Sequence, residues 1–402
     1  MPTLLQINTS LGRGSTGKIA NQIGALASEA GWRCFVAHGS RFVGESAMTG
    51  LQVSGRAAEW GHYLKSHLLD EHGLGSAAAT MRLLEDLDAI KPDVVHLHNI
   101  HGYYVNYPLL LGYLAHKGIP TVVTMHDFWL MTGHCAYIHP SCGKWQTGCG
   151  SCPRLREYPA SLTDASHRNW TRKKACFKAF EKDKLCIVPV SHWLEGFVKQ
   201  SLLQDCRIQV LQNGVDTARF KPYEGKPSAL YESIDWSKHT ILTVADRWTS
   251  SNGYGDILNL NAMLPADMQI VMVGLSEQQF KQLPEGIIGV AHTENVEQLI
   301  ELYTSADVLF NASQEVTFGL VTAEAMACGT PAIVFEHTAG EEIIDGGTGY
   351  AVQTIERIPA LVYDCRRRRE EFRTACRERI VQNFDASRQY AKYIDLYNSM
   401  LG

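Results

Sequence analysis

Short apolar, β-rich runs alternate with helix-length stretches along almost the whole chain, and this alternation restricts the fold more than any other feature. In the first half the runs are Thr3 to Asn8, Arg33 to Ala37, Asp93 to His98, Pro120 to His126, Leu185 to Ser191 and Arg207 to Leu211. Such a pattern builds a mostly parallel sheet with helices on both faces. The second half repeats it with Thr240 to Ala245, Met268 to Gly274, Ile287 to Val290, Asp307 to Asn311, Pro331 to Phe335 and Gly349 to Val352. Between them, Asn213 to Lys238 is rich in Gly, Pro and polar residues and lacks a sustained period, which marks a linker. A length of 402 residues also exceeds what one core usually supports. The fold expected is α/β, with two Rossmann-like doubly wound domains over 1–212 and 213–386. A closing helix over 387–402, about Ser387 to Met400, is expected to pack on the first domain. Ligands in open parallel sheets sit beyond the carboxyl ends of the strands, so two such sheets predict a cleft between domains.

Bulk properties narrow the function. The chain is 45% hydrophobic and 20% charged with a formal net charge of −5, which argues against a dedicated nucleic-acid binder. Met1 to Ser10 has no secretory leader pattern, and no apolar run reaches spanning length. The expected location is cytoplasmic, at most peripheral at the inner face of the membrane. Arg168, Arg172, Lys173, Lys174 and Lys178 are interleaved with Trp170, Phe177 and Phe180, so a helix there fits an anionic membrane surface. A solvated helix face is the other reading, because Glu181 and Asp183 follow at once. Eleven cysteines, an odd number, speak against a complete disulfide framework.

The loop Gly12-Arg13-Gly14-Ser15-Thr16-Gly17-Lys18 follows the first strand and opens a helix. It matches a dinucleotide fingerprint and most of a P-loop but completes neither. Ile19 follows the lysine where a magnesium-ligating Ser or Thr belongs, and the second strand ends His38-Gly39-Ser40 without an acid. Gly14 and Gly17 let backbone amides approach a ligand at a helix N-terminus, or serve only a tight turn. His126 ends an apolar strand where a side chain able to bond a hydroxyl or move a proton would emerge. Asp127 could cap the following turn. His96, His98 and His101, at the preceding strand end, are expected to line the cleft or face solvent rather than to hold metal.

Cys135, Cys142, Cys149 and Cys152 lie on a Gly-rich loop, 134–153, and end in Cys-x-x-Cys. Four thiolates so spaced fit a structural, tetrahedral zinc, with His134 and His139 as reserve ligands. Free thiols or a disulfide are the other readings. The most informative stretch runs from Asn311 to Pro331: strand, loop with Glu315, helix with Glu324, then Gly329-Thr330-Pro331 into the next strand. Glu324 sits in an otherwise apolar helix, where a charge is costly unless paired or bonded to ligand. A carboxylate there can accept two neighbouring hydroxyls, or form a buried salt bridge.

These residues resemble the donor site of retaining glycosyltransferase family 4, in the subgroup related to colanic acid, capsule and O-antigen biosynthesis. The resemblance extends to the Gly-Ser-Thr-Gly-Lys loop, Met125-His126-Asp127-Phe128-Trp129, the cysteine loop, Val190-Ser191, Asn213-Gly214-Val215-Asp216 and Thr348-Gly349-Tyr350. It implies a GT-B fold, a UDP- or GDP-linked sugar as donor, and a glycan or polyprenyl-linked acceptor, without a catalytic metal. It also implies roles for residues. Glu324 binds the donor ribose; Glu315 and the amides of Phe318, Gly319 and Leu320 hold the sugar or diphosphate; His126 faces the transferred sugar; Arg247 binds the diphosphate; and Gly14 and Gly17 join the donor site.

Two departures from the family pattern stand out. Eight residues, not seven, separate Glu315 from Glu324, with Val316 in the usual first position. Arg247-Trp248-Thr249-Ser250-Ser251-Asn252-Gly253 has Asn252 where a lysine is usual, and by the resemblance Asn252 belongs to the donor-binding set. Losing that cation removes stabilisation from a leaving diphosphate, which Ser250, Ser251 and helix-start amides could partly replace. A nucleotide-sugar epimerase and a binding-only partner subunit are the competing readings.

Overall fold

The apolar runs become strands in the structure, a computed structural model describing residues 1–138, 141–225, 233–249 and 252–402. The chain divides into two units, Met1–Gln212 with Gln389–Gly402, and Asn213–Arg388. In the first, β1 (Thr3–Asn8), β2 (Arg33–His38), β3 (Thr49–Gln52), β4 (Val94–Leu97), β5 (Thr121–Met125), β6 (Leu185–Pro189) and β7 (Arg207–Ile208) form one sheet in the order β3-β2-β1-β4-β5-β6-β7. Every pair is parallel, with Thr3 opposite Arg33 and Leu4 opposite Val94. All residues of β1, β4, β5 and β6 are buried, because helices cover both faces and no strand residue can turn to water. The crossovers carry α1 (Gly14–Glu29), α2 (Arg56–Leu69), α3 (Ala77–Ile90), α4 (Tyr107–Lys117), α5 (Lys144–Thr147), α6 (Ser166–Lys178) and α7 (His192–Val198).

The second unit repeats the plan with β8 (His239–Val244), β9 (Met268–Val273), β10 (Ile287–Val290), β11 (Val308–Asn311), β12 (Ala332–Phe335) and β13 (Gly349–Val352), all parallel, in the order β10-β9-β8-β11-β12-β13. Its helices are α8 (Tyr254–Met263), α9 (Glu277–Lys281), α10 (Val296–Ser305), α11 (Leu320–Ala327), α12 (Ile358–Arg367) and α13 (Arg369–Asn383), followed by α14 (Ala386–Leu401). Ile241, Ile270, Met272, Val308, Phe310 and Phe372 centre its core. The body of α14 belongs to the first unit, where the Tyr397 hydroxyl lies 2.7 Å from His96 Nδ1 and the Tyr393 hydroxyl 3.0 Å from Thr124 Oγ1.

Strand order reverses direction between β1 and β4 in one sheet and between β8 and β11 in the other. Ligand sites of open parallel sheets form at such switch points, beyond the carboxyl ends. In this chain those positions are the loops after β1, β4 and β5, and after β8 and β11.

The aromatic residues of α6 do not face outward: Trp170 and Phe177 are buried, and so is Lys173. The Lys173 ammonium donates to the carbonyls of Trp129 (2.5 Å) and Thr132 (3.0 Å) and lies 3.5 Å from the Trp129 ring centroid. A cation with two carbonyls and an aromatic face is satisfied inside a protein, so Trp170, Phe177 and Lys173 of the basic-aromatic pattern are turned into the fold. Among the described residues no helix is long and apolar enough to cross a membrane.

Candidate active site

In the first unit the loop after β1 is tied down by Asn8, whose amide nitrogen donates to the Ser10 carbonyl at 2.9 Å while its oxygen accepts from the Asn99 N–H at 3.3 Å. Gly14 opens α1 with φ +67° and is exposed; Gly17 is buried, and a Cβ there would lie 2.8 Å from Ser10 Oγ. Gly17 is thus required by packing of helix on loop, whereas Gly14 leaves the helix start open.

Of the histidines at the neighbouring strand ends, His96, His98 and His101 are buried rather than lining a surface, His126 is half-buried, and His98 and His126 are bonded to each other. His98 Nδ1 lies 3.0 Å from His126 Nε2, and His98 Nε2 lies 2.8 Å from Gln6 Oε1. His96 spans Tyr397 and Thr124, both at 2.7 Å. His101 pairs with Asp127 Oδ2 at 2.7 Å and reaches the Tyr158 hydroxyl at 3.1 Å. Asp127 Oδ1 accepts from the Trp129 N–H at 2.8 Å, so it also caps the 3-10 turn Trp129–Met131 that Lys173 supports from below. Burial works against the Asp127 carboxylate, but His101 and the Trp129 amide outweigh it and hold the group below its ordinary range. Burial pushes His126 down to about 4 and His96 and His98 well below the usual imidazole range. All three are neutral at pH 7.

The cysteine loop carries four free thiols. Cys135, Cys142, Cys149 and Cys152 line one small cavity of about 20 Å³ together with His134 and Trp145. The Gly133 N–H points at Cys149 Sγ, 3.2 Å away. A hydrogen bond between Cys135 and Cys152 lowers Cys152 and raises Cys135. His134 Nδ1 is 2.6 Å from Asp70 Oδ1, while its Nε2 is buried with no hydrogen-bond partner. Sulfur donors and an imidazole oriented by a carboxylate are the chemistry of a zinc site. Yet no group of three or more His, Cys, Asp or Glu residues is drawn together as a metal-holding set among the described residues. His139 lies outside them.

In the second unit the loop after β8 holds Arg247, which is exposed, and Trp248, whose indole N–H donates to the Val273 carbonyl at 2.8 Å. Asn252 closes this loop: its oxygen accepts from the Thr249 N–H at 2.8 Å and its amide donates to the Arg247 carbonyl at 2.6 Å. Both ends of the side chain are used within the turn, so Asn252 braces the Arg247 backbone. Ser250 and Ser251 lie outside the described residues. Gly253 then caps α8 with φ +86°, and a Cβ there would fall 2.3 Å from the Ala312 carbonyl. Only glycine lets the start of α8 approach the loop after β11 this closely.

That second loop is set by Asn311, which donates to Thr322 Oγ1 at 3.0 Å and accepts from the Ser313 N–H at 3.2 Å. Glu315 is half-buried within it, Phe318 is buried, and Gly319, φ +100°, caps α11. The first-turn amides of α8 and α11 are therefore both at the switch point, where helix N-termini favour an anion. Glu324, half-buried on α11, accepts from the Tyr303 hydroxyl at 3.0 Å. Tyr303 is fully buried and its carbonyl accepts from the Thr330 hydroxyl. One carboxylate oxygen is thereby oriented by α10, a support that the apolar pattern around Tyr303 concealed.

Residues 34–219 match the family described as Glycosyltransferase Family 4, and residues 252–367 match glycosyl transferases group 1. The chain belongs to glycosyltransferase family 4. This family 4 chain is 25% identical over 281 residues to the putative colanic acid biosynthesis glycosyl transferase WcaC of Escherichia coli K12, an alignment covering 66% of this chain and 65% of that relative. The fold is that of GT-B glycosyltransferases. Sucrose-phosphate synthase from Thermosynechococcus elongatus superposes with a TM-score of 0.72 at 16% identity, covering 100% of this chain and 99% of the other. Anabaena HepE, solved in complex with UDP-glucose, superposes with a TM-score of 0.63 at 14% identity, covering 98% and 99%.

Proposed function

We propose that this family 4 chain transfers a hexose, with retention of anomeric configuration, from a UDP-sugar to a glycan or polyprenyl-linked acceptor of a surface polysaccharide in the cytoplasm. The observation that carries this reading is the switch point between β8 and β11. There a guanidinium on a braced turn, the amides of two helix starts and a carboxylate oriented by Tyr303 stand on adjoining loops. A nucleoside-diphosphate sugar needs that set: cation and amides for the diphosphate, carboxylate for ribose hydroxyls. The UDP complexes of HepE and the WcaC relationship support the donor and the pathway type.

Arg247 and the first-turn amides of α8 and α11 neutralise the departing diphosphate as the anomeric carbon gains positive character. Glu324 accepts from the ribose hydroxyls. Glu315 and the amides of Phe318, Gly319 and Leu320 hold the sugar, and His126 bonds one of its hydroxyls. The acceptor attacks from the face that the diphosphate leaves, and a leaving phosphate oxygen takes the acceptor proton, so no covalent nucleophile on the protein is required. Asn252, neutral and committed to its turn, favours one competing reading, a subunit that binds nucleotide sugar without transfer. Incubation with labelled UDP-hexoses and a lipid-linked glycan separates the two: labelled glycan and free UDP are expected, and tight donor binding with no transfer would replace the proposal with the binding-only subunit.

The cysteine loop is proposed to hold one structural zinc. The supporting features are four free thiols on one cavity, the Gly133 N–H directed at Cys149, and His134 Nε2 left without a partner while Asp70 fixes the opposite ring nitrogen. Such a metal would staple the loop that follows His126 and take no part in transfer. Metal analysis of protein purified without chelator should find about one zinc per chain, and chelation should lower Tm. Metal-free protein whose melting is indifferent to zinc and chelator would show plain thiols.

A further inference from the structure

We propose that Gln6 and His98 are positioning residues that fix His126 as its Nε2–H tautomer, so that its Nδ1 presents a lone pair and can only accept a hydrogen bond. The inference rests on the transferase reading for its use, but its geometry does not. Three adjacent strands supply the parts: Gln6 from β1, His98 just after β4 and His126 just after β5.

The polarity of the chain of bonds is set at its inner end. Gln6 is fully buried, and its side-chain nitrogen faces the Ala20 carbonyl at 2.8 Å and Met48 Sδ at 3.2 Å. Both of those atoms only accept, so this end of the amide is the NH2 group and the other is the oxygen. The oxygen lies 2.8 Å from His98 Nε2. An amide oxygen cannot donate, so His98 Nε2 carries a proton. His98 is buried and neutral, and a neutral imidazole has one N–H; its Nδ1 therefore holds a lone pair. That lone pair faces His126 Nε2 at 3.0 Å, which must be the donor. His126 is neutral too, so its remaining nitrogen, Nδ1, is the unprotonated one. The carbonyl of one residue on α1 thus decides, through two side chains, which nitrogen of His126 bears the proton.

The consequence concerns the chemistry that His126 can do. With Nδ1 as an acceptor it takes a hydrogen bond from a sugar or acceptor hydroxyl and cannot donate one to a ring oxygen or a phosphate. The sequence allowed either direction; the strand ends allow one. Gln6 and His98 touch no reacting group in this scheme and act only through His126.

The test is direct. Long-range 15N–1H correlation spectra of protein labelled in histidine, assigned with His126→Gln and His98→Gln, report protonation nitrogen by nitrogen. The unsubstituted protein should show lone-pair-type Nδ1 signals for both His98 and His126. Gln6→Met removes the amide while keeping the volume, and should shift the His126 signals towards a mixture of tautomers. The same variant should lower kcat about tenfold, the worth of one hydrogen bond, with donor KM unchanged. A proton on His126 Nδ1 in the unsubstituted protein overturns the proposal even if Gln6→Met fails to fold, and so do spectra that Gln6→Met leaves unaltered. The predicted tautomers in a protein that transfers no sugar would sustain the positioning and defeat the transferase reading instead.

Discussion

Acidification from pH 7 towards pH 4 is expected to unfold the first unit before the second. Five histidines of the first unit, the buried His62, His72, His96 and His98 and the half-buried His126, are all held neutral. Burial is the largest cause in each, pushing His62 and His126 down to about 4. Lower folded than unfolded pKa values mean that the unfolded chain binds more protons between the two. Stability therefore falls as pH drops through the ordinary imidazole value of about 6.5, and the loss continues until the folded groups themselves titrate. With close to five protons taken up on unfolding near pH 5.5, the slope is roughly 6 kcal/mol per pH unit. Against a domain stability of about 5–15 kcal/mol, one to two pH units below 6 suffice. Asp127, depressed in the fold, adds to the same trend. Hydrogen exchange at pH 7 and pH 5, corrected for intrinsic rates, should show β1, β4 and β5 losing protection while β8 and β11 keep theirs. Equal loss in both sheets, or none, would mean the histidines are not held neutral.

Arg247→Ala is expected to lower kcat by about 10² to 10³, the usual worth of one preorganised group aimed at developing charge. Arg247 is exposed while its neighbours anchor the loop. Trp248 bonds Val273, Asn252 bonds the Arg247 and Thr249 backbone, and Gly253 packs on Ala312. None of these contacts uses the guanidinium, so the variant should melt with the unsubstituted protein. On the proposed reading, with a neutral Asn252 in the position that a lysine usually fills, Arg247 would bear more of the diphosphate charge than in a two-cation site. Single-turnover kinetics alongside UDP titration calorimetry make the check. A rate within threefold of the unsubstituted protein would remove Arg247 from the diphosphate and leave the helix amides as its partners.

Much of the fold was legible because parallel strands buried on both faces read as mostly apolar runs, as in Leu185–Pro189 and Ala332–Phe335. The strand that escaped, Thr49–Gln52, is a largely exposed edge without that signature. In α6 the alternation of basic and aromatic residues suggested an outer surface, and only packing revealed that Lys173 points inward onto Trp129. The candidate site was legible where charge stood among apolar residues, as at Glu324, or where glycine broke a helix start, as at Gly253 and Gly319. Its supports were not. Tyr303 sits in an ordinary amphipathic helix, and Gln6 in an ordinary buried strand, so nothing local distinguishes a side chain that orients a partner 21 or 92 positions away. Cysteine spacing brought four thiols to one cavity but does not say what holds them there.

The anomeric configuration of the product tests the central claim most directly. Transfer from an α-linked UDP-hexose to a lipid-linked glycan, followed by the proton coupling at the new anomeric centre, should give an α linkage and stoichiometric UDP. A β linkage, or UDP-sugar conversion to another hexosamine with no acceptor modified, would contradict it.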